Sequence, residues 1–174
     1  MSATDLPIPD PRSPLEVKCI ADIAKHGWCS FRVFAGAQSE DAADTEPVEP
    51  QEVYDASFRY TAGFWRTFRH PELVIVGRWG HSHSYLSAFA DLIRDGRRFA
   101  AGDSTDEILD GYDVRLGTVT DDHRLALLTW TDWTLGRRPF AALQVILPDR
   151  AGHWPDDPDY VGYAQPLLGE KPPD

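Results

Sequence analysis

Residues 58–77, FRYTAGFWRTFRHPELVIVG, decide the fold that this sequence predicts. Apolar runs over 53–64 and 72–77 flank a polar connector, and each run has the length of a strand. After its first residue, Glu72, the second run is continuously apolar, which predicts a strand buried on both faces. Neither strand needs Tyr60, Thr61, His70 or Glu72 in order to fold, so the stretch also raises the question of a functional site.

Helix signals lie on both sides of this stretch. The capping-box pattern SPLE at residues 13–16, followed by Gly27 as a stop, predicts a helix over 14–26. A second helix is predicted between Ser82, as its N-cap, and Gly96.

The remaining elements are predicted from periodicity. Further strands are expected over 28–35, 112–119 and 140–147. The segment 122–135 has a helical pattern capped by Asp122, with Leu125, Leu128 and Leu135 inward, but its Thr and Trp content also suits a strand. We favour the helix.

This order of elements predicts an α+β fold, with a mixed, mainly antiparallel sheet and helices packed on one face. The length of 174 residues suits one domain, which we place at 13–168. A Pro-rich segment, 1–12, is expected to form a flexible N-terminal arm, and 169–174 a C-terminal tail. Residues 38–51 are expected to form an acidic, solvated loop.

The charge limits the partners. The chain has 17 basic and 28 acidic residues, a formal net charge of -11. Nucleic-acid binding needs a clustered basic surface, and docking on anionic lipid needs the same, so neither partner is expected. A small molecule or a basic protein would be compatible with this charge.

The sequence also indicates a compartment. The first 14 residues lack the basic and apolar regions of a signal peptide, and no run approaches the length of a membrane span. The two cysteines, Cys19 and Cys29, are expected to be reduced, small core residues of a cytoplasmic protein.

Several short motifs occur in the order and spacing of one known family. They are Ile23 with His26-Gly27-Trp28, Phe58-x-Tyr60-Thr61-x-Gly63, His70-Pro71-Glu72-Leu73, Gly77, Ala142-Leu143-Gln144, Pro148-Asp149, Gly152 and Gln165-Pro166-Leu167-Leu168. The chain resembles the bacterial family called domain of unknown function 4262 on these residues, over about 20–168. It departs from the family pattern at Phe64, at Leu147 and at His153-Trp154-Pro155. The resemblance implies no assigned chemistry.

Seven residues are candidates for a site, and each also has a structural explanation. Tyr60, Thr61 and Gly63 can form the edge of a ligand pocket, or a strand end with a glycine turn. His70 and Glu72 lie two apart on an extended segment and would point the same way, as a pair for acid–base catalysis does. They can equally mark the start of a strand after Pro71.

The other candidates lie near the last strand. Gln144 falls inside a buried strand, where its amide needs partners from the protein or a ligand. Asp149 follows Pro148 and can accept hydrogen bonds from a turn or a ligand. His81 and His83 have the H-x-H spacing of zinc ligands, but no third ligand is evident, so a helix start is the better interpretation. We predict no metal and no cofactor.

Two functional hypotheses follow. In the first, the seven candidate residues line a pocket that binds a small polar molecule, with His70 and Glu72 as possible catalytic residues. In the second, the protein is a non-enzymatic module for a basic protein partner, in the manner of an immunity or inhibitor protein, using the acidic loop and Trp65.

Overall fold

The computed structural model describes residues 7–34, 57–77 and 80–169. The predicted acidic loop, most of the predicted tail and half of the predicted arm lie outside these ranges. The described elements, in chain order, are α1 (Pro14–His26), β1 (Cys29–Val33), β2 (Phe58–Ala62), a π-helical turn (Phe64–Phe68), β3 (Glu72–Val76), α2 (Ser82–Arg94), β4 (Ser104–Leu109), β5 (Tyr112–Thr118), α3 (Asp121–Leu127), α4 (Thr129–Thr134) and β6 (Ala142–Ile146).

The strands form one six-stranded sheet in the order β1-β2-β3-β6-β5-β4. The central β3–β6 pair is parallel, and the other pairs are antiparallel. The predicted α+β class and the mixed, mainly antiparallel sheet are therefore confirmed.

The helices lie on both faces of the sheet, not on one as predicted. Leu86, Phe89 and Ile93 of α2 pack with Leu73 and Ile75 of β3 in one core cluster. On the other face, Leu127 and Leu128, together with Leu135, pack with Tyr60, Val74 and Val76. Successive residues of a strand point to opposite faces, so the continuous apolar run of β3 needs a cover on each side.

The first helix confirms its sequence signals. The Ser13 hydroxyl accepts a hydrogen bond from the Glu16 N–H, and the Glu16 carboxylate accepts one from the Ser13 N–H. Gly27 ends the helix with a φ of 85°. Local cap chemistry thus determines both ends of α1.

The start of α2 differs from the prediction. His81 occupies the N-cap position without a side-chain hydrogen bond, and Ser82 is the first helical residue. The Ser82 hydroxyl accepts a hydrogen bond from Arg59 instead. The Ser82 hydroxyl, which was predicted to cap the helix, is therefore used in a tertiary hydrogen bond with Arg59 instead.

The segment predicted as one helix over 122–135 forms two short helices, α3 and α4, which meet at Leu128. The N-cap is Thr120, whose hydroxyl accepts from the His123 N–H, and not Asp122. Leu128 and Leu135 are buried as predicted, but Leu125 is 53% exposed. Within the described ranges, none of the helices has the length and apolar character needed to cross a membrane.

Candidate functional site

Three of the predicted site residues meet at a buried carboxylate. One oxygen of Glu72 accepts the Thr61 hydroxyl at 2.6 Å. The other accepts the N–H groups of Gly63 at 3.0 Å and Trp65 at 2.9 Å. The Thr61 oxygen in turn accepts the Leu73 N–H at 2.9 Å. Glu72 therefore holds the start of the π-helical turn against β2 and β3.

The Glu72 side chain has no access to solvent. Burial raises the pKa of this carboxyl to about 7, against the opposing effect of the hydrogen bonds from Thr61, Trp65, Gly63 and Phe64. The group can thus hold a proton near neutral pH. With no exposed surface, it serves the turn and does not meet a ligand in this conformation.

His70 is also fully buried, and both ring nitrogens have protein partners. Nε2 accepts the Phe99 N–H at 3.1 Å, so Nδ1 carries the proton and donates to the Pro71 carbonyl at 2.7 Å. Burial lowers the pKa of His70, which keeps the ring neutral. His70 and Glu72 use different partners, so the expected acid–base pairing of the two is not present.

The remaining candidates hold other parts of the chain together. The Tyr60 hydroxyl accepts the Trp130 N–H at 3.2 Å. The Gln144 amide donates to the Pro166 carbonyl at 2.8 Å and accepts the Leu168 N–H at 2.7 Å. Gln144 therefore fastens the C-terminal segment to the sheet.

Asp149 forms a turn of the kind that its position after Pro148 predicts. Its carboxylate accepts the N–H groups of Ala151 and His153 at 2.8 Å and of Val161 at 2.9 Å. Burial acts to raise the pKa of Asp149, but these hydrogen bonds outweigh it and lower the pKa to about 2. The carboxylate stays charged and orders the loop after β6.

A polar cleft of about 550 Å³ lies between α1, the β1–β2 hairpin edge and α2, and we call it the α1–α2 cleft. It is lined by charged or polar side chains from all three elements, together with an aromatic ring and a thiol: Lys18, Asp22, His26, Trp28, Cys29, Ser30, Arg59, His83, Ser87, Asp91 and Arg94. None of the seven predicted site residues lines this cleft.

Arg59 donates hydrogen bonds to two serines of this cleft region. Its Nε donates to the Ser82 hydroxyl at 3.1 Å and its Nη1 to the Ser30 hydroxyl at 3.0 Å. Ser30 also lies 3.1 Å from Nδ1 of His83, whose ring stacks on Trp28 with centroids 5.8 Å apart. Burial lowers the pKa of Arg59, and the positive charge of Arg32 lowers it further.

The pairing of β1 with β2 brings two like charges together. Arg32 stands directly opposite Arg59 in the antiparallel register. Side chains of opposed residues share a face, and like charges there destabilise a sheet. No carboxylate of the described residues forms an ion pair with Arg59.

A second cleft, of about 670 Å³, is the tyrosine cleft, named for Tyr85, Tyr112 and Tyr163 in its lining. It lies between α2, the β4–β5 hairpin and the loops after β6, and Asp149 is part of its lining. Tyr112 donates to the Arg150 carbonyl at 2.7 Å, which ties the hairpin to these loops. Asp149 is thus the predicted site residue that borders one of the two clefts.

The structure places Arg59, Ser30 and Cys29 in the lining of the α1–α2 cleft, and none of them was singled out as a site candidate from the sequence. One signal was present, because an arginine between Phe58 and Tyr60 places a charge inside an otherwise apolar strand. His83 was considered as a metal ligand and as part of a helix start, with the helix start preferred. In the described ranges, no group of three or more His, Cys, Asp and Glu side chains is arranged to hold a metal ion.

Comparison with known families gives one match. The family described as Domain of unknown function (DUF4262) matches residues 22–161 of the chain. Neither the curated proteins nor the solved structures gave a match.

Proposed function

The chain belongs to the DUF4262 family, whose description names no activity, and we propose from its own geometry that the protein binds a small anionic molecule in the α1–α2 cleft. This proposal keeps the first hypothesis, that the protein binds a small polar molecule, but it places the binding site in a different part of the protein. The residues first predicted for the pocket, His70 and Glu72 among them, are buried with protein partners.

The hydrogen bonding of Arg59 carries the proposal. A guanidinium has five N–H donors, and here two of them meet neutral hydroxyls. The other three have no partner among the described residues, in a half-buried side chain that lines the cleft. A carboxylate or phosphate is the ligand that a guanidinium fork binds best, through paired charge-assisted hydrogen bonds.

Arg32 supports the same conclusion. Two arginines opposed across a hairpin cost free energy of folding, since each positive charge disfavours the other. Arg32 is not in the lining of the cleft, but an anion bound at Arg59 would offset this cost by neutralising one of the two charges. Residues that reduce stability without an evident packing gain are common in functional sites.

His83 is one of two histidines that line this cleft, and it is the one in contact with Ser30, the hydroxyl that Arg59 also binds. An imidazole can donate a hydrogen bond from one ring nitrogen and accept at the other. Trp28 and Ser30 fix the position of the ring. An acid–base step on the bound molecule, if there is one, is therefore assigned to His83 and not to His70 and Glu72.

The test is binding of inorganic phosphate, followed by backbone amide shifts in NMR spectra. We expect shifts at Ser30, Arg59 and His83. Arg59→Met keeps the length of the side chain and removes the charge, and it should weaken binding by about tenfold or more, the value of one charge-assisted hydrogen bond. Phosphate shifts confined to other parts of the protein would overturn the proposal.

The matched control is Arg97→Met, which removes an exposed arginine paired with Glu107 outside the cleft. It should leave phosphate binding unchanged. Arg59→Met should also change the free energy of unfolding in urea by less than about 1 kcal/mol, because relief of the opposition with Arg32 offsets the hydrogen bonds lost to Ser30 and Ser82. A variant that loses stability along with binding would identify Arg59 as a structural residue.

The alternative of a module for a basic protein partner stays a prediction. The acidic loop that motivated it lies outside the described residues. Trp65, its other support, packs against the core cluster of Tyr60 and Val74 and donates its N–H to Glu72.

A further inference from the structure

Two thiols from different elements face each other beside the α1–α2 cleft. Cys19 belongs to α1 and Cys29 begins β1, and their Sγ atoms lie 3.2 Å apart. Both are free. A covalent S–S bond measures about 2.05 Å, so a movement of roughly 1 Å would join them. The short α1–β1 connection, Gly27-Trp28, holds them together.

The two thiols differ in access. Cys19 is 2% exposed and packs with Ile23 and Ala62. Cys29 is half-buried and lines the cleft. A molecule that enters the cleft therefore reaches the sulfur of Cys29 first, while Cys19 lies behind it.

The two thiols also differ in acidity. The hydrogen bond from Cys29 lowers the pKa of Cys19, against the effect of burial, and the Lys18 charge lowers it further. The same hydrogen bond and burial raise the pKa of Cys29. Cys19 is therefore the more acidic thiol, and its thiolate, 3.2 Å from the Cys29 sulfur, is placed to take up the proton of Cys29.

We propose that Cys19 and Cys29 form a redox-active pair, in which Cys29 reacts with a low-molecular-weight disulfide in the cleft and Cys19 resolves the product. This goes beyond the proposed function and does not depend on anion binding. It adds redox chemistry to two cysteines that the sequence analysis expected to be reduced, small core residues.

The chemistry balances without any further reactant. The Cys29 sulfur attacks the disulfide RS–SR, a bond forms between Cys29 and one SR group, and the other leaves as RS⁻. Before the attack, Cys19 releases its proton to solvent and the proton of Cys29 passes to the Cys19 thiolate, so that Cys29 attacks as the thiolate. The leaving RS⁻ takes this proton from Cys19 and becomes RSH. The Cys19 thiolate then attacks the Cys29 sulfur, which releases the second RS⁻, and solvent returns a proton to it. The protein loses two electrons and two protons, and RS–SR becomes two RSH.

The test uses the reduced full-length protein and 2-hydroxyethyl disulfide, which is uncharged and so does not need the anion site. The reaction is quenched with acid at intervals and followed by intact mass and peptide mapping. We expect an intramolecular Cys19–Cys29 disulfide, seen as the loss of two hydrogens. At early times, the mixed disulfide should map to Cys29.

Single variants separate the two roles. Cys19→Ser should accumulate a stable mixed disulfide on Cys29, because nothing resolves it. Cys29→Ser should react more than about tenfold more slowly, since Cys19 is buried. Far-UV circular dichroism and labelling of the remaining thiol in denaturant show that each variant is folded and intact. If a variant fails to fold, the early mixed disulfide of the wild type decides the order.

Three results would overturn the proposal. The first is a wild-type protein that stays reduced unless denatured. The second is oxidation only to disulfide-linked dimers. The third is a mixed disulfide that forms first on Cys19, which would require the helix to open before the reaction.

Discussion

At the scale of the residue, Glu72 couples stability to pH. In the unfolded chain its carboxyl has a pKa of 4.5, and in the folded protein burial raises it to about 7. The folded protein therefore binds this proton more tightly than the unfolded chain does. The stability that the protonated Glu72 contributes is fully present below pH 4.5 and is lost as the pH rises through about 7. Glu72→Gln keeps an acceptor for the Gly63 and Trp65 N–H groups and cannot titrate.

We expect urea unfolding to show that the wild type loses stability relative to Glu72→Gln between pH 5 and pH 8. The subtraction removes the effect of the other acidic residues, which both proteins share. Parallel stability profiles would mean that the carboxyl has the same protonation state across this window in the folded protein and in the unfolded chain.

At the scale of the element, the π-helical turn depends on Gly63. Its φ is 118°, and a Cβ there would lie 2.6 Å from the Gly27 oxygen and 2.9 Å from the Trp28 Cα. Gly63→Ala should therefore cost more than about 2 kcal/mol, from backbone strain and from a clash with backbone atoms. Gly111→Ala is the matched control, because Gly111 has a φ of 78° with open space around it, and it should cost only about 1 kcal/mol.

Urea unfolding of the two glycine variants measures the difference. Equal losses would mean that α1 and β1 shift away from the turn without cost. A larger loss in Gly63→Ala would confirm that the turn is held against the α1–β1 connection.

At the scale of the whole molecule, the C-terminal segment completes one face of the protein. Leu168 is fully buried in the core cluster of Tyr60 and Val74, and Gln144 holds it there. Gln144→Leu would leave the Leu168 N–H and the Pro166 carbonyl without a partner, at a cost of roughly 2 kcal/mol. Hydrogen exchange at Leu168 should then become faster. Leu167→Ala, at an exposed neighbour, should change neither the free energy of unfolding nor the exchange rate.

Local signals predicted part of this molecule well. The start of α1 follows from the cap formed by Ser13 and Glu16, two residues that are three positions apart. The continuous apolar run of β3 predicts a strand in the centre of the sheet. β4 was not predicted because its sequence, STDEIL, is mainly polar and has little strand propensity. It lies at the edge of the sheet, where its pairing with β5 stabilises the strand.

The α1–α2 cleft could not be predicted in the same way. The opposition of Arg32 and Arg59 depends on the register between strands that are separated by more than twenty residues. The meeting of Cys19 and Cys29 depends on the angle between a helix and a strand. The candidates chosen from sequence were instead polar residues in apolar runs. Most of their side chains form hydrogen bonds with backbone groups of the protein itself.

The parallel β3–β6 pair has a consequence for how the chain folds. Glu72 pairs with Ala142, seventy positions later, while β1-β2-β3 and β6-β5-β4 are each joined internally by antiparallel pairs. The entropy of closing so long a loop must be overcome before this contact forms. We therefore expect the two three-stranded halves to assemble early and their junction to set the folding rate, so that the centre of the finished sheet is the last part of it to form.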